Sequence, residues 1–175
     1  MKKNSTNTKK IALYGVLVAA AMILSYVESV IPPFFALPGM KLGLTNIVVV
    51  FSLYRLGSGS AMSLNIIRIV LLSLLFGGPS VMIYSLAGGM LSSVCMIALK
   101  KLSLFSVTAV STAGGVAHNV GQILVAMLWL KTAGLGWYLL ILWFTGAASG
   151  VLIGIAGSIL IKRIPENLTN HSSGE

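Results

Sequence analysis

Apolar residues run along this chain in long stretches, broken by short clusters of Pro, Gly, Ser and Lys. Six stretches separate, near residues 10–31, 42–57, 60–76, 79–99, 108–131 and 136–161. None alternates with a period of two, so strands are not supported. About 20 apolar residues in a helix cross ~30 Å of hydrocarbon, and lipid forces backbone groups to be satisfied within the segment. The pattern therefore predicts an all-α membrane protein with six transmembrane helices, of which the second and third are short. Residues 1–10 read as an N-terminal segment, 11–161 as the transmembrane domain and 162–175 as a polar tail. The first apolar run, after Lys2, Lys3, Lys9 and Lys10, is too long for a signal-peptide core and is followed by further spans, so it reads as an uncleaved first helix.

Composition agrees with this picture. The chain is 57% hydrophobic and 9% charged, against about 25% charged for soluble domains. The formal charge is +9, but the bases sit at the ends of apolar runs and form no groove-sized patch, so nucleic acid is not an expected partner. Their placement is a topology signal. With the N-terminus inside, nine bases (Lys2, Lys3, Lys9, Lys10, Arg55, Lys100, Lys101, Lys162 and Arg163) fall inside and two (Lys41 and Lys131) outside. The positive-inside rule then predicts a cytoplasmic-membrane protein with both termini cytoplasmic.

Arg68 breaks the pattern, at the centre of the third stretch. A guanidinium at helix centre costs roughly 2.5–3.5 kcal/mol on insertion scales, so it must face a cavity, a partner or an anion. The acids are Glu28, Glu166 and Glu175, and Asp is absent. Only Glu28 lies near membrane depth, so Arg68 has two readings: an ion pair with Glu28 that locks helices 1 and 3, or an anchor for a ligand carboxylate or phosphate, which the guanidinium fork suits. Asn65 shares the Arg68 face at i−3. Lys41 and Asn46 stand near the outer end of helix 2, and Asn119 and Gln122 share a face of helix 5. One outward-opening cavity collecting Glu28, Lys41, Asn46, Asn65, Arg68, Asn119 and Gln122 is the expected ligand site. Asn119 and Gln122 serve equally well as interhelical hydrogen-bond partners. The Pro-rich segment 32–41 reads either as a lid over this mouth or as an interfacial anchor.

Small residues form a second pattern. Gly146, Gly150 and Gly154 recur every four residues in helix 6, and Ala12, Gly15 and Ala19 mark helix 1. Such faces let another helix approach closely, within the bundle or in a partner. Tight internal packing is the expectation for helix 6, and a partner-docking face is weighed for helix 1. Catalytic signatures are missing: there is no Asp-rich motif, no phosphate-binding loop and no nucleophile with a credible His and acid partner. His118 has no second membrane His, and Cys95 is the lone cysteine, so no metal site and no cofactor is expected. The chain does not read as an enzyme.

Four stretches together resemble a known bacterial membrane family. They are Pro38-Gly39-Met40-Lys41-Leu42-Gly43-Leu44-Thr45-Asn46, Asn65-Ile66-Ile67-Arg68, Tyr84-Ser85-Leu86-Ala87-Gly88-Gly89, and Gly114-Gly115-Val116-Ala117-His118-Asn119-Val120-Gly121-Gln122. That family is known both as heptaprenyl diphosphate synthase component I and as the Gx transporter family, and the resemblance covers roughly residues 10–160. In architecture the chain is also similar to the S components of energy-coupling factor (ECF) transporters. This second resemblance implies a six-helix ECF S-component-like bundle that binds a small molecule from outside, caps it with the first outer loop, and docks by small residues of helix 1 on a transmembrane coupling subunit joined to ATPases. Ala12, Gly15 and Ala19 are the nearest match, with Gly where that pattern has Ala. The combined expectation is a substrate-binding membrane subunit for a small anionic molecule, with flavin and prenyl phosphates as fitting ligands. The rival is a non-catalytic membrane subunit that recruits a polyprenyl diphosphate synthase or serves a quinone or redox assembly.

Overall fold

A computed structural model describes residues 2–30, 43–131, 134 and 136–164. Six α-helices follow one another: α1 (Lys2–Val30), α2 (Asn46–Arg55), α3 (Ser58–Leu72), α4 (Pro79–Lys101), α5 (Val107–Leu130) and α6 (Gly136–Arg163). A π-helical turn, Ser73–Gly77, prolongs α3, and no strand occurs among the described residues. Five of the six helices are long and apolar enough to cross a membrane. The predicted all-helical membrane bundle is thus the observed class of fold. The expected lid at 32–41, together with Lys41, lies outside the described residues, as does the chain from 165 on.

The second helix is the main departure. The expected span was 42–57, but α2 holds only ten residues. At 1.5 Å per residue it is ~15 Å long, about half the hydrocarbon thickness. Gly43, with φ +68°, ends the preceding chain, and Asn46, Ile47 and Val48 donate to the carbonyls of Gly43, Leu44 and Thr45 in a tight entry turn. The run 42–57 reads as one apolar stretch because α2 is apolar all round: Val48 to Leu53 are six consecutive buried residues. Such a helix belongs in a core rather than at a lipid boundary. At its far end Lys100 Nζ donates to Leu53 O at 2.5 Å, and Arg55 donates to Ile161 O of α6 and, at 2.6 Å, to Ile164 O just past its end. Cations at helix C-termini satisfy the last carbonyls and oppose the negative dipole end. Two of the bases read as topology signals therefore also fasten helix ends.

The small-residue patterns fall on opposite kinds of surface. On α6, a Cβ added at Gly150 would lie 2.6 Å from Thr112 Cα, and one at Gly154 would lie 2.6 Å from Thr108 Cα. A Cβ at Gly146 would lie 2.9 Å from Gly115 O. The α6 stripe is internal packing against α5. On α1 the opposite holds: Ala12, Gly15 and Ala19 are all exposed, and a Cβ at Gly15 would meet nothing within 4 Å. Between Ile11 and Glu28, α1 is mostly exposed, and its buried residues Leu17 and Ala21 pack in the cluster of Val48, Phe51 and Leu64.

Candidate functional site

Arg68 and Asn46 meet at the same depth for a geometric reason. Asn46 is nine residues from the Arg55 end of α2, and Arg68 is ten residues from the Ser58 start of α3. Both therefore stand ~15 Å from the end of the bundle that carries Arg55, near the middle of a ~30 Å layer. Arg68 Nη2 donates to Asn46 Oδ1 at 2.7 Å, and its Nε donates to Asn65 Oδ1 at 2.8 Å. Asn65 in turn donates through Nδ2 to Gly89 O at 2.9 Å and Ser93 Oγ at 2.8 Å on α4. Asn65 is 2% exposed, and its amide is used on both sides. Its role is to position the guanidinium. The absence of a side chain at Gly89 makes room for it, since a Cβ there would sit 3.1 Å from Asn65 Nδ2 and 2.4 Å from Ile69 Cδ1.

Among the described residues no acid makes a contact ion pair with Arg68, although Glu28 lies near enough to act on it electrostatically. Arg68 is 8% exposed, and both its partners are neutral amide oxygens. Glu28 accepts from Gly43 N at 2.5 Å instead, and among the described residues no ion pair joins it to Arg68. Nε and Nη2 form one edge of the guanidinium. A guanidinium carries five N–H donors in a planar fork. Two are used here, and no described residue takes the end-on edge formed by Nη1 and the second Nη2 hydrogen. That edge can accept both oxygens of one carboxylate or phosphate group.

The other expected site residues separate. Glu28 lies at the entry to α2, tied to the backbone of Gly43. Asn119 Nδ2 donates to Leu142 O on α6 at 2.6 Å, which is interhelical bonding. Gln122 lies against Gly88 of α4, where an added Cβ would fall 2.7 Å from its Cγ. Neither is hydrogen-bonded to the Arg68 cluster. Asn46 also lines a small crevice of about 10 Å³ between α2, α4, α5 and α6, where Ser92 and Ser111 supply hydroxyls. Gly89 and Ser93 complete the cluster. Their four-residue spacing in the sequence signals one helix face, and it reads as packing until Asn65 is placed against it.

The fold and this cluster define a polytopic helical membrane protein with a buried cation held by neutral amide oxygens, beside a helix that stops halfway. The chain belongs to the family described as heptaprenyl diphosphate synthase component I, whose model matches residues 17–160. No curated protein and no solved structure matches it.

Proposed function

We propose that this chain is a substrate-binding membrane subunit of the ECF S-component type, serving uptake of a small molecule that carries an oxyanion. The observation that carries the proposal is Arg68: buried at mid-depth, fixed by two neutral oxygens, with a bidentate edge that no described residue takes. Non-helical backbone at membrane depth is tolerated where it is buried in protein or lines a cavity, and discontinuous helices mark binding sites in transporters. The turn Gly43–Thr45 is such a segment. In this mechanism Arg68 pairs the anion, Asn65 and Asn46 hold it in register, and Lys41 lines the rim. Glu28 shapes the entry to α2, while Asn119 and Gln122 reach the ligand only through rearrangement of α5. Flavin and prenyl phosphates both pair an anionic head with aromatic or apolar surface.

The exposed α1 face of Ala12, Gly15 and Ala19 supports docking on a transmembrane coupling subunit with ATPases. Both termini then face the cytoplasm of a bacterial cell, by the nine-to-two division of bases. The isolated chain performs no prenyl transfer and no ATP hydrolysis, since Asp is absent. The family description favours a second role, as a non-catalytic partner of a synthase subunit. Native mass spectrometry of the purified protein decides between them. A co-purified small oxyanion, lost in Arg68→Gln, supports uptake. An empty protein that instead binds a soluble prenyl synthase supports the second role.

A further inference from the structure

Two buried serines face the junction of α2, α4, α5 and α6. Ser92 of α4 is 3% exposed and Ser111 of α5 is 4% exposed. Both line the crevice that Asn46 shares, whose apolar walls include Val50, Met96 and Ile153. A serine inside a helix commonly turns its hydroxyl back onto a carbonyl of the preceding turn, as Ser52, Ser63, Ser149 and Ser158 do here. Ser92 and Ser111 do not, and among the described residues neither Oγ has a hydrogen-bond partner. Glycines opposite leave the room: an added Cβ at Gly114 would lie 3.2 Å from Ser92 Oγ, and one at Gly154 would lie 3.0 Å from Ser111 Cβ. A buried hydroxyl without a partner is costly, so two that open onto one crevice point to a shared partner inside it.

The third polar group is Asn46. Its Oδ1 accepts from Arg68 Nη2, which leaves Nδ2 as the donor on the other side of the amide. Nδ2 and Ile153 Cδ1 lie side by side against Gly43, 3.2 and 3.3 Å from the position of an added Cβ, and Ile153 is a wall of the crevice. The space of about 10 Å³ takes one water molecule and nothing larger. Its lining includes no acid, and Asn46 already carries a guanidinium, so the site does not suit a cation. We propose that Asn46, Ser92 and Ser111 hold one buried water, which accepts from Asn46 Nδ2 and hydrogen-bonds both serine hydroxyls. This water positions the cation at one remove. It pins Nδ2 as Arg68 pins Oδ1, so the amide cannot turn end for end and set a donor against the guanidinium. The site is independent of the uptake proposal.

Water itself is the probe. The full-length protein is labelled with nitrogen-15 at asparagine and studied in detergent micelles, with the Asn46 side-chain amide identified by its loss in Asn46→Asp. In wild type that amide should show a dipolar cross-peak to the water resonance, with the sign of a tightly held molecule. The cross-peak should weaken in Ser92→Ala and in Ser111→Ala and vanish in the double variant. Each single variant should lower the melting temperature by roughly 2–4 °C. The double variant should lose clearly less than the sum, because both hydroxyls bond the same molecule. Additive losses, as for serines bonded to their own helices, would overturn the proposal. So would a wild-type spectrum without the water cross-peak at Asn46, a measurement that needs neither serine variant to fold.

Discussion

Replacing Arg68 by Gln separates a ligand anchor from a structural cation, because the two predict opposite balances of stability and binding. The variant removes a charge that costs roughly 2.5–3.5 kcal/mol at mid-membrane. It also releases two amide oxygens, on Asn46 and Asn65, each costing about 1–3 kcal/mol if left unpaired. Gln can donate to one of them, so the loss is about the size of the gain. Stability without ligand should therefore change by no more than ~2 kcal/mol. Binding should fall much further, by about 2–5 kcal/mol, the usual loss when one partner of a buried charged pair is removed. In affinity this is roughly 30-fold to several thousandfold. Arg68→Lys keeps the charge but not the fork, and should fall between Gln and wild type.

The assay has two parts. Native mass spectrometry of wild-type protein identifies the co-purified anion, and that molecule is then titrated into each variant while melting is followed in detergent. The anchor predicts a ligand-dependent rise in melting temperature for wild type that Arg68→Gln largely loses. Equal ligand affinity in wild type and Arg68→Gln would refute it. So would a collapse of the unliganded Arg68→Gln protein that Glu28→Gln restores, since that pattern belongs to a buried ion pair.

Four further outcomes follow from the packing and the charge pattern. Glu28→Ala leaves Gly43 N without its acceptor and should cost about 1–3 kcal/mol in detergent melting, whereas Glu28→Gln keeps an acceptor and should cost under ~1.5. In a double-mutant cycle with Arg68→Gln, the Glu28 coupling should stay well below the ~3–5 kcal/mol of a broken buried pair. Gly150→Leu would drive a side chain into Thr112 backbone and should destabilise by about 3 kcal/mol or more. Gly15→Leu, in open space, should melt like wild type yet lose any partner that copurifies through α1, and loss of fold in Gly15→Leu would refute that face. Cysteines placed at Ser5 and at Ser172 should resist an impermeant thiol reagent in intact cells, and labelling from outside would reverse the topology.

Helix number and class were legible because length and hydropathy alone set them in lipid. The Arg68–Asn65 link was legible because i,i+3 neighbours share a face whatever surrounds them. The Asn46 contact was visible only as a shared end of the bundle, since it joins residues 22 apart in the chain. Where α2 begins was not legible: Leu42-Gly43-Leu44 continues the apolar run, and the helix starts late because of a positive φ at Gly43. Nor does a sequence say which neighbour a polar residue meets. Asn119 and Asn65 look alike as lone amides in apolar runs, but one reaches Leu142 O on α6 and the other holds Arg68. The α1 and α6 small-residue stripes look alike too, and only the packing shows that one is covered and the other open.

The half-length of α2 connects these observations. A full span would bring its N-terminus to the far surface and leave Arg68 facing helical side chains. Because α2 stops at mid-depth, Asn46 reaches the guanidinium from a loop entry instead, and Glu28 of α1 is drawn onto Gly43 rather than onto the cation. The other end cannot slide to compensate, since Leu53 O is held by Lys100 and the Arg55 side chain by carbonyls of α6. The acid nearest in depth is thus spent on backbone, and the base is held by neutral oxygens. Structural pairing would have placed the two together, because each buried charge is costly alone. With Glu28 bonded to Gly43 N and no contact ion pair to the guanidinium among the described residues, the proposed uptake role would have an oxyanion supply the missing contact.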